Sequence, residues 1–415
     1  MATPLRFAAI LATALVLSLA VGHCAGTLAF EKRFMLIGQV FPSECPVQGW
    51  LGKEPGFRYI MIPTDTDRLA LTEDESRKFV RQYFPRTPDE LFSNFHFVVM
   101  PDAHIKPLTD KQIFWLKEGY EQHGISSFVT VGADVTGNYE QEWMASPLHE
   151  TLPTSLYGQM RLSGSFTIVI LREDPAILSM FRPFKIESFV GSTPFSKNNP
   201  REGSIVWADA KFEPGGMRTP WLISWKLGTA GGHSWVASDD LDHQWWWPGG
   251  MRVESTNPYS GDVFLNIVYY SMGRALPTDI GVVHRLRDSF GLYEISRLMV
   301  RGAIDWAEKL GANVQAAEKA LGNVEETHNL ALTQYGSGDY EESARTLEQA
   351  MKEADDALEL AYRIKRQAML YIYVVEWSVT TGTLLLSGSV LYALMIRRRL
   401  YRAVETTKLL RAEEG

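Results

Sequence analysis

"FHFVVMPDAHIKPLTDKQIFWLKEGYEQHGISSFVTVGADVTGNY" (residues 95–139) holds one repeat unit of the fold. Two apolar runs, 95–102 and 127–132, are each too short for a helix and too apolar for a solvent-facing strand, so both read as buried strands. Between them, 109–124 has helical character. Thr109 stands before Asp110 as an N-cap, and Gly124 stops the segment. Strand, helix, strand is the pattern of a parallel sheet covered on both faces. Outward from this unit, strands are expected at 34–40, 57–63, 166–172, 204–210, 221–228 and 233–240, with helices at 72–84 and 262–274.

The chain has 415 residues, 41 basic and 49 acidic, and a formal net charge of −8, which gives no general attraction to nucleic acid. Two segments bear on compartment. Arg6 precedes an uncharged apolar run, 7–22, that ends in small residues. This is the pattern of a secretory signal peptide over 1–29, cut between Gly22 and Ala29, with an uncleaved anchor as the alternative. Near the other end, 377–396 is uncharged and meets Arg397, Arg398 and Arg399. Its twenty residues span about 30 Å as a helix, the thickness of the hydrocarbon core. Tyr371, Tyr373 and Trp377 form an aromatic belt opposite the arginines, which mark the cytoplasmic side. The expected topology is a single-pass cell-membrane protein. Segment 371–396 lies in lipid, 397–415 is a cytoplasmic tail, and the bulk of the chain is extracytoplasmic.

From 291 to 370, apolar residues recur at spacings of four and three: Met299, Ala303, Trp306, Leu310, Val314 and on to Tyr335, then Tyr340 to Ala361. This predicts an antiparallel hairpin of two long helices turning near 335–340, the second running on into the span. On that geometry the first helix begins near the membrane, the 30–290 domain lies beside the bilayer, and the hairpin projects past it.

The stretch 95–153, ending "SPLHETLP", and the later "TPWLISWKLGTAGGHSWVASDD" (219–240) together resemble the class I glutamine amidotransferase-like superfamily. The likeness is to its branch of prokaryotic membrane-anchored and secreted proteins. The resemblance covers about 33–290. It implies an α/β flavodoxin-like parallel sheet, a prokaryotic host, and a strand-end elbow presenting a cysteine nucleophile with a later histidine as its base. Here the elbow positions are Gly132, Ala133 and Asp134, with no nucleophile. The expectation is a non-catalytic, amidotransferase-like domain working in binding or assembly at the cell surface.

Some residues stay open to chemistry. Cys45 follows the first strand, and Asp239 and His243 follow a late one; with a metal or without, they are the candidates for a surface hydrolase. Asp239, Asp240, Asp242 and His243 are the candidate ligands should a divalent metal bind, although no cofactor is expected and the preferred reading is a loop start with helix-capping aspartates, solvated or paired with Arg252. Asp102 and His104, at another strand end, are binding candidates because ligands of such sheets bind at that edge. Trp245, Trp246 and Trp247 are adjacent, so all three cannot face inward from one strand. They are candidates for partner or membrane contact, against a reading as packing within the chain. A protein partner or self-association is expected, through these surfaces, the hairpin or the span.

Overall fold

The computed structural model describes residues 31–65, 71–130, 138–162, 164–192, 195–242, 245–247 and 257–412. The signal segment, the elbow positions Gly132, Ala133 and Asp134, and His243 lie outside them. The chain divides into two units, Met1–Gly291 with Gly336–Tyr340, and Leu292–Tyr335 with Glu341–Gly415.

In the first unit the elements run β1 (Lys32–Gln39), α1 (Val47–Lys53), β2 (Phe57–Asp65), α2 (Glu73–Tyr83), α3 (Pro88–Asn94), β3 (Phe97–Pro101), α4 (Asp110–Gln122), β4 (Ser126–Thr130) and α5 (Asn138–Ala145). There follow β5 (Thr154–Leu162), β6 (Ser165–Ile170), β7 (Val190–Gly191), β8 (Phe195–Pro200), β9 (Ile205–Glu213), β10 (Arg218–Lys226), β11 (His233–Ala237) and α6 (Ser260–Ser271). Among the described residues the main sheet has nine strands in the order β2-β1-β3-β4-β11-β10-β9-β6-β7, and β5 pairs separately with β8.

The sheet is mixed, which corrects the expectation of a parallel one. Strands β2, β1, β3, β4 and β11 are mutually parallel, and β10, β9, β6 and β7 continue antiparallel. The reason is connection length. Four residues join β9 to β10 and six join β10 to β11, enough for a hairpin turn and too few for a crossover.

Alternation along the central strands splits the core into two layers. Phe34, Leu36, Phe97, Val99, Phe128 and Trp235 face one side, where Val263, Phe264 and Ile267 of α6 cover them. Met35, Ile37, Val98, Met100, Val129 and Val236 face the other, under Val80 of α2 and Ile113 and Leu116 of α4. Capping fixes where these covering helices start. Thr72 with Glu75, and Thr109 with Gln112, form reciprocal capping boxes. Gly38 permits a close strand approach: its φ is +125°, and a Cβ there would lie 2.0 Å from the Pro101 carbonyl oxygen.

Beyond the sheet come α7 (Ile280–Lys309), α8 (Gln315–Ser337) and α9 (Tyr340–Ala412). The expected first helix of the hairpin is therefore two helices. Gly311, at φ +77°, ends α7 in a left-handed cap, with Ala312 N–H bonded to Ala307 O, and Asn313 Oδ1 accepts from Gln315 N at the start of α8. The four-and-three spacing survives across this break, so periodicity did not reveal it.

In the second unit α8 runs antiparallel to both neighbours. Tyr293 stacks on His328 at 3.9 Å and Arg297 reaches Glu325 at 3.6 Å, while Thr327 bonds Glu353 and Ser343 bonds the Ala331 carbonyl. His328 is thus a packed seam histidine; burial and then Arg297 push its pKa down to about 4. In α9, Tyr340–Tyr401 contains a stretch long and apolar enough to cross a membrane.

Candidate functional site

The carboxyl ends of β1, β3, β4 and β11 converge on one buried acidic cluster. The loop after β1 brings Glu44 and Cys45. Asp102 follows β3, Thr130 ends β4, and Asp239 and Asp240 follow β11. Asp102 adopts φ +42°, an uncommon conformation that aspartate tolerates better than most residues. Its N–H donates to Thr130 Oγ1 at 3.2 Å, and that hydroxyl lies 3.3 Å from Asp102 Oδ1. Neighbouring strand ends are therefore pinned by one threonine.

Asp239 is fully buried. Its Oδ1 accepts from Trp221 Nε1 at 2.7 Å and Trp246 Nε1 at 3.0 Å, and its Oδ2 has no hydrogen-bond partner among the described residues. Burial is the main influence on this carboxyl and pushes its pKa up to about 7 against the pull of the two indoles. Asp240 shares a hydrogen bond with Asp102. Its pKa is held well above the carboxylate range by burial, then by the charges of Asp102 and Asp242. The Cys45 thiol is raised by burial and by Asp242, Asp102 and Glu44, with only the Val47 N–H opposing. Cys45, a candidate nucleophile from the sequence, is a buried core residue, and burial among carboxylates disfavours its thiolate.

The tryptophans are corrected in the same way. Trp245 and Trp246 are fully buried, and with Trp221 they form a packed trio at centroid distances of 4.5, 4.8 and 5.2 Å. They support Asp239 and offer no surface to a partner or to lipid. Trp247 alone is half-buried.

Asp102 joins the cluster and His104 does not. His104 Nδ1 lies 3.1 Å from both carboxylate oxygens of Glu142, and its Nε2 lies 3.7 Å from Asp65. Glu142 also takes Lys106 at 3.2 Å and the Ile105 N–H, and the next residue, Trp143, donates to the Ala103 carbonyl. Burial raises the Glu142 pKa, but His104 and Lys106 outweigh it and leave the carboxyl below its ordinary value. α5 thus clamps the 103–106 loop behind Asp102.

Among the described residues no group of three or more His, Cys, Asp or Glu side chains is placed to hold a metal ion. Asp239, Asp240 and Asp242 sit together but without that geometry, and no step is assigned to a metal. Sequence reasoning missed Thr130, Trp221, Glu142 and Glu44. Of these, only Trp221 carried a signal, as an indole inside an apolar strand.

Two of these buried acids, Asp239 and Asp240, have carboxyls pushed above their ordinary pKa by burial. Such carboxyls can both donate and accept hydrogen bonds. No protein-family description and no curated protein matches the chain. Among solved structures it is similar to one titled "mmIFT52 N-terminal domain", with a TM-score of 0.35 and 10% identity over 57% of this chain and 96% of that one. So slight a likeness carries no argument about fold or function.

Proposed function

We propose that this chain is a membrane-anchored, amidotransferase-like domain that works by binding at the cell surface and not by catalysis. In this reading 1–29 is a secretory signal, the sheet unit is extracytoplasmic and flavodoxin-like, 371–396 crosses the membrane and 397–415 is cytoplasmic, in a prokaryotic host. The observation that carries it is the chemistry of the sheet edge: its cysteine is buried beside Glu44, Asp102 and Asp242, which disfavour a thiolate there. The order of the five parallel strands, second-first-third-fourth-fifth along the chain, supports the flavodoxin-like reading. The ligand class that suits buried carboxyls is one rich in hydrogen-bond donors, such as an amine or a polyol.

One observation favours a rival. A carboxyl poised near 7 suits a general acid or base, which keeps a surface hydrolase at Asp239 and His243 in view. The deciding experiment uses the full chain purified in mild detergent. It combines native mass spectrometry with assays of ammonia release from glutamine and of ester, amide and glycoside hydrolysis. An oligomer or a co-purifying protein with no turnover supports the binding reading. Turnover that Asp239→Asn abolishes while the fold persists overturns it.

A further inference from the structure

Residues 292–307 of α7 are apolar on two separate faces; the helices of its own unit bury one and touch the other only at Trp306, through Lys365. Tyr293, Val300, Ala303, Ile304 and Ala307 are buried in the second unit. Leu292, Ile295, Leu298, Met299 and Trp306 are 41–57% exposed. Four of these, with Gly302, fall at 292, 295, 299, 302 and 306, the alternation of three and four that marks a seam between two helices. At Gly302 the space is open, with nothing within 4 Å of an added Cβ. The exposed seam extends about 21 Å along the axis.

The direction of this seam selects its occupant. Since α8 is antiparallel to both α7 and α9, those two are parallel, and Lys365 Nζ lies 3.4 Å from the Trp306 ring centroid. Trp306 is therefore level with Lys365, about 9 Å before residue 371, where the expected membrane segment begins. Lipid can reach the foot of the seam but not its length. A second copy anchored by the same segment stands in the same orientation, and its identical seam meets the first in register about a two-fold axis along the membrane normal.

The exposed side chains offer roughly 450 Å² per copy, comparable to the largest apolar patches of ordinary monomers and short of the roughly 800 Å² per partner of a stable soluble complex. Confinement of both copies to one bilayer raises their effective concentration and compensates for the shortfall. The geometry points to a parallel homodimer of this chain, formed through the 292–306 face of α7. This inference rests on reading α9 as a membrane anchor.

The test is disulfide trapping of the full chain in liposomes, in a Cys24→Ser background with the buried Cys45 retained. Single cysteines are placed at Ile295→Cys and Met299→Cys in the seam, and at Arg301→Cys and Glu308→Cys, exposed positions off it. Under mild oxidation the seam variants are expected to form a covalent dimer at least fivefold more than the other two. Equal trapping at all four positions, or none at the seam, overturns the dimer. Alkaline carbonate extraction of the same liposomes separates the two readings. A chain that stays with the lipid but does not trap at the seam defeats the dimer alone, and a chain released from the lipid defeats both.

Discussion

Asp262 on α6 and Asp239 beside β11 are both buried in the sheet unit, and burial opposes the charge of each. They respond in opposite directions. Asp262 meets Arg287 at 2.6 Å and His284 at 2.6 Å. The same guanidinium holds Glu54 at 2.7 Å, and Tyr269 bonds Glu54 from the other side. The cations outweigh burial, and the Asp262 pKa falls below its ordinary value. Asp239 has two indole donors and further acids nearby, and its pKa climbs to about 7. The first network is a structural clamp joining α1, α6 and α7. In the second, burial and neighbouring acids disfavour ionisation at the carboxyl ends of the parallel strands.

The contrast breaks most readily at Arg287. Arg287→Met leaves Glu54 and Asp262 buried without their guanidinium, and should destabilise the sheet unit by about 3–5 kcal/mol in denaturant titration. A loss below 1 kcal/mol would mean that the clamp is ornamental.

Next in size is the pH dependence of Asp239. A carboxyl raised in the folded state gives stability that is complete below the unfolded pKa and is lost as pH rises through the folded one. Unfolding followed by tryptophan fluorescence should show about 3–4 kcal/mol lost between pH 4 and 7, and Asp239→Asn should flatten that slope. An unchanged slope would place the titration elsewhere.

Trp246→Phe removes one of the two donors to Asp239 Oδ1. It should cost about 1–2 kcal/mol and move the midpoint of the same pH transition upward. A midpoint that stays put would show that the indole only fills space.

The smallest effect belongs to His284, whose pKa is raised first by its bond to Asp262 and then by the charges of Asp262 and Asp288, against burial and Lys53. Its contribution is present below pH 6.5 and lost as pH rises through the folded value. His284→Gln should therefore cost about 1 kcal/mol at pH 5.5 and less in alkaline buffer. A cost independent of pH would remove the imidazolium from the clamp.

The two regions also differ in how far the sequence announces them. All eight expected strands fall within the main sheet, because short apolar runs bounded by turn residues report burial directly. Strand direction was legible as well, in the few residues of 214–217 and 227–232, but apolarity alone does not record it. Asp239 and Asp240 stood out as charges at a strand end. Thr130 and Glu44 did not, since what matters about them is convergence from strands distant in sequence. Arg287 and His284 lie on a helix where charges ordinarily face water, so nothing local distinguishes them. The break at Gly311 was hidden because the apolar register on both sides of it is the same.

One continuous helix, α9, carries 73 residues from Tyr340 to Ala412 without a proline. Its rotational phase is therefore fixed from end to end. One residue inserted between Arg366 and Leu370 would turn everything beyond it by about 100° and shift it by about 1.5 Å, whereas seven would restore the phase to within about 20°. A twist imposed at Tyr340 arrives at Arg397 with no joint to absorb it, so the chain has the mechanics of a shaft.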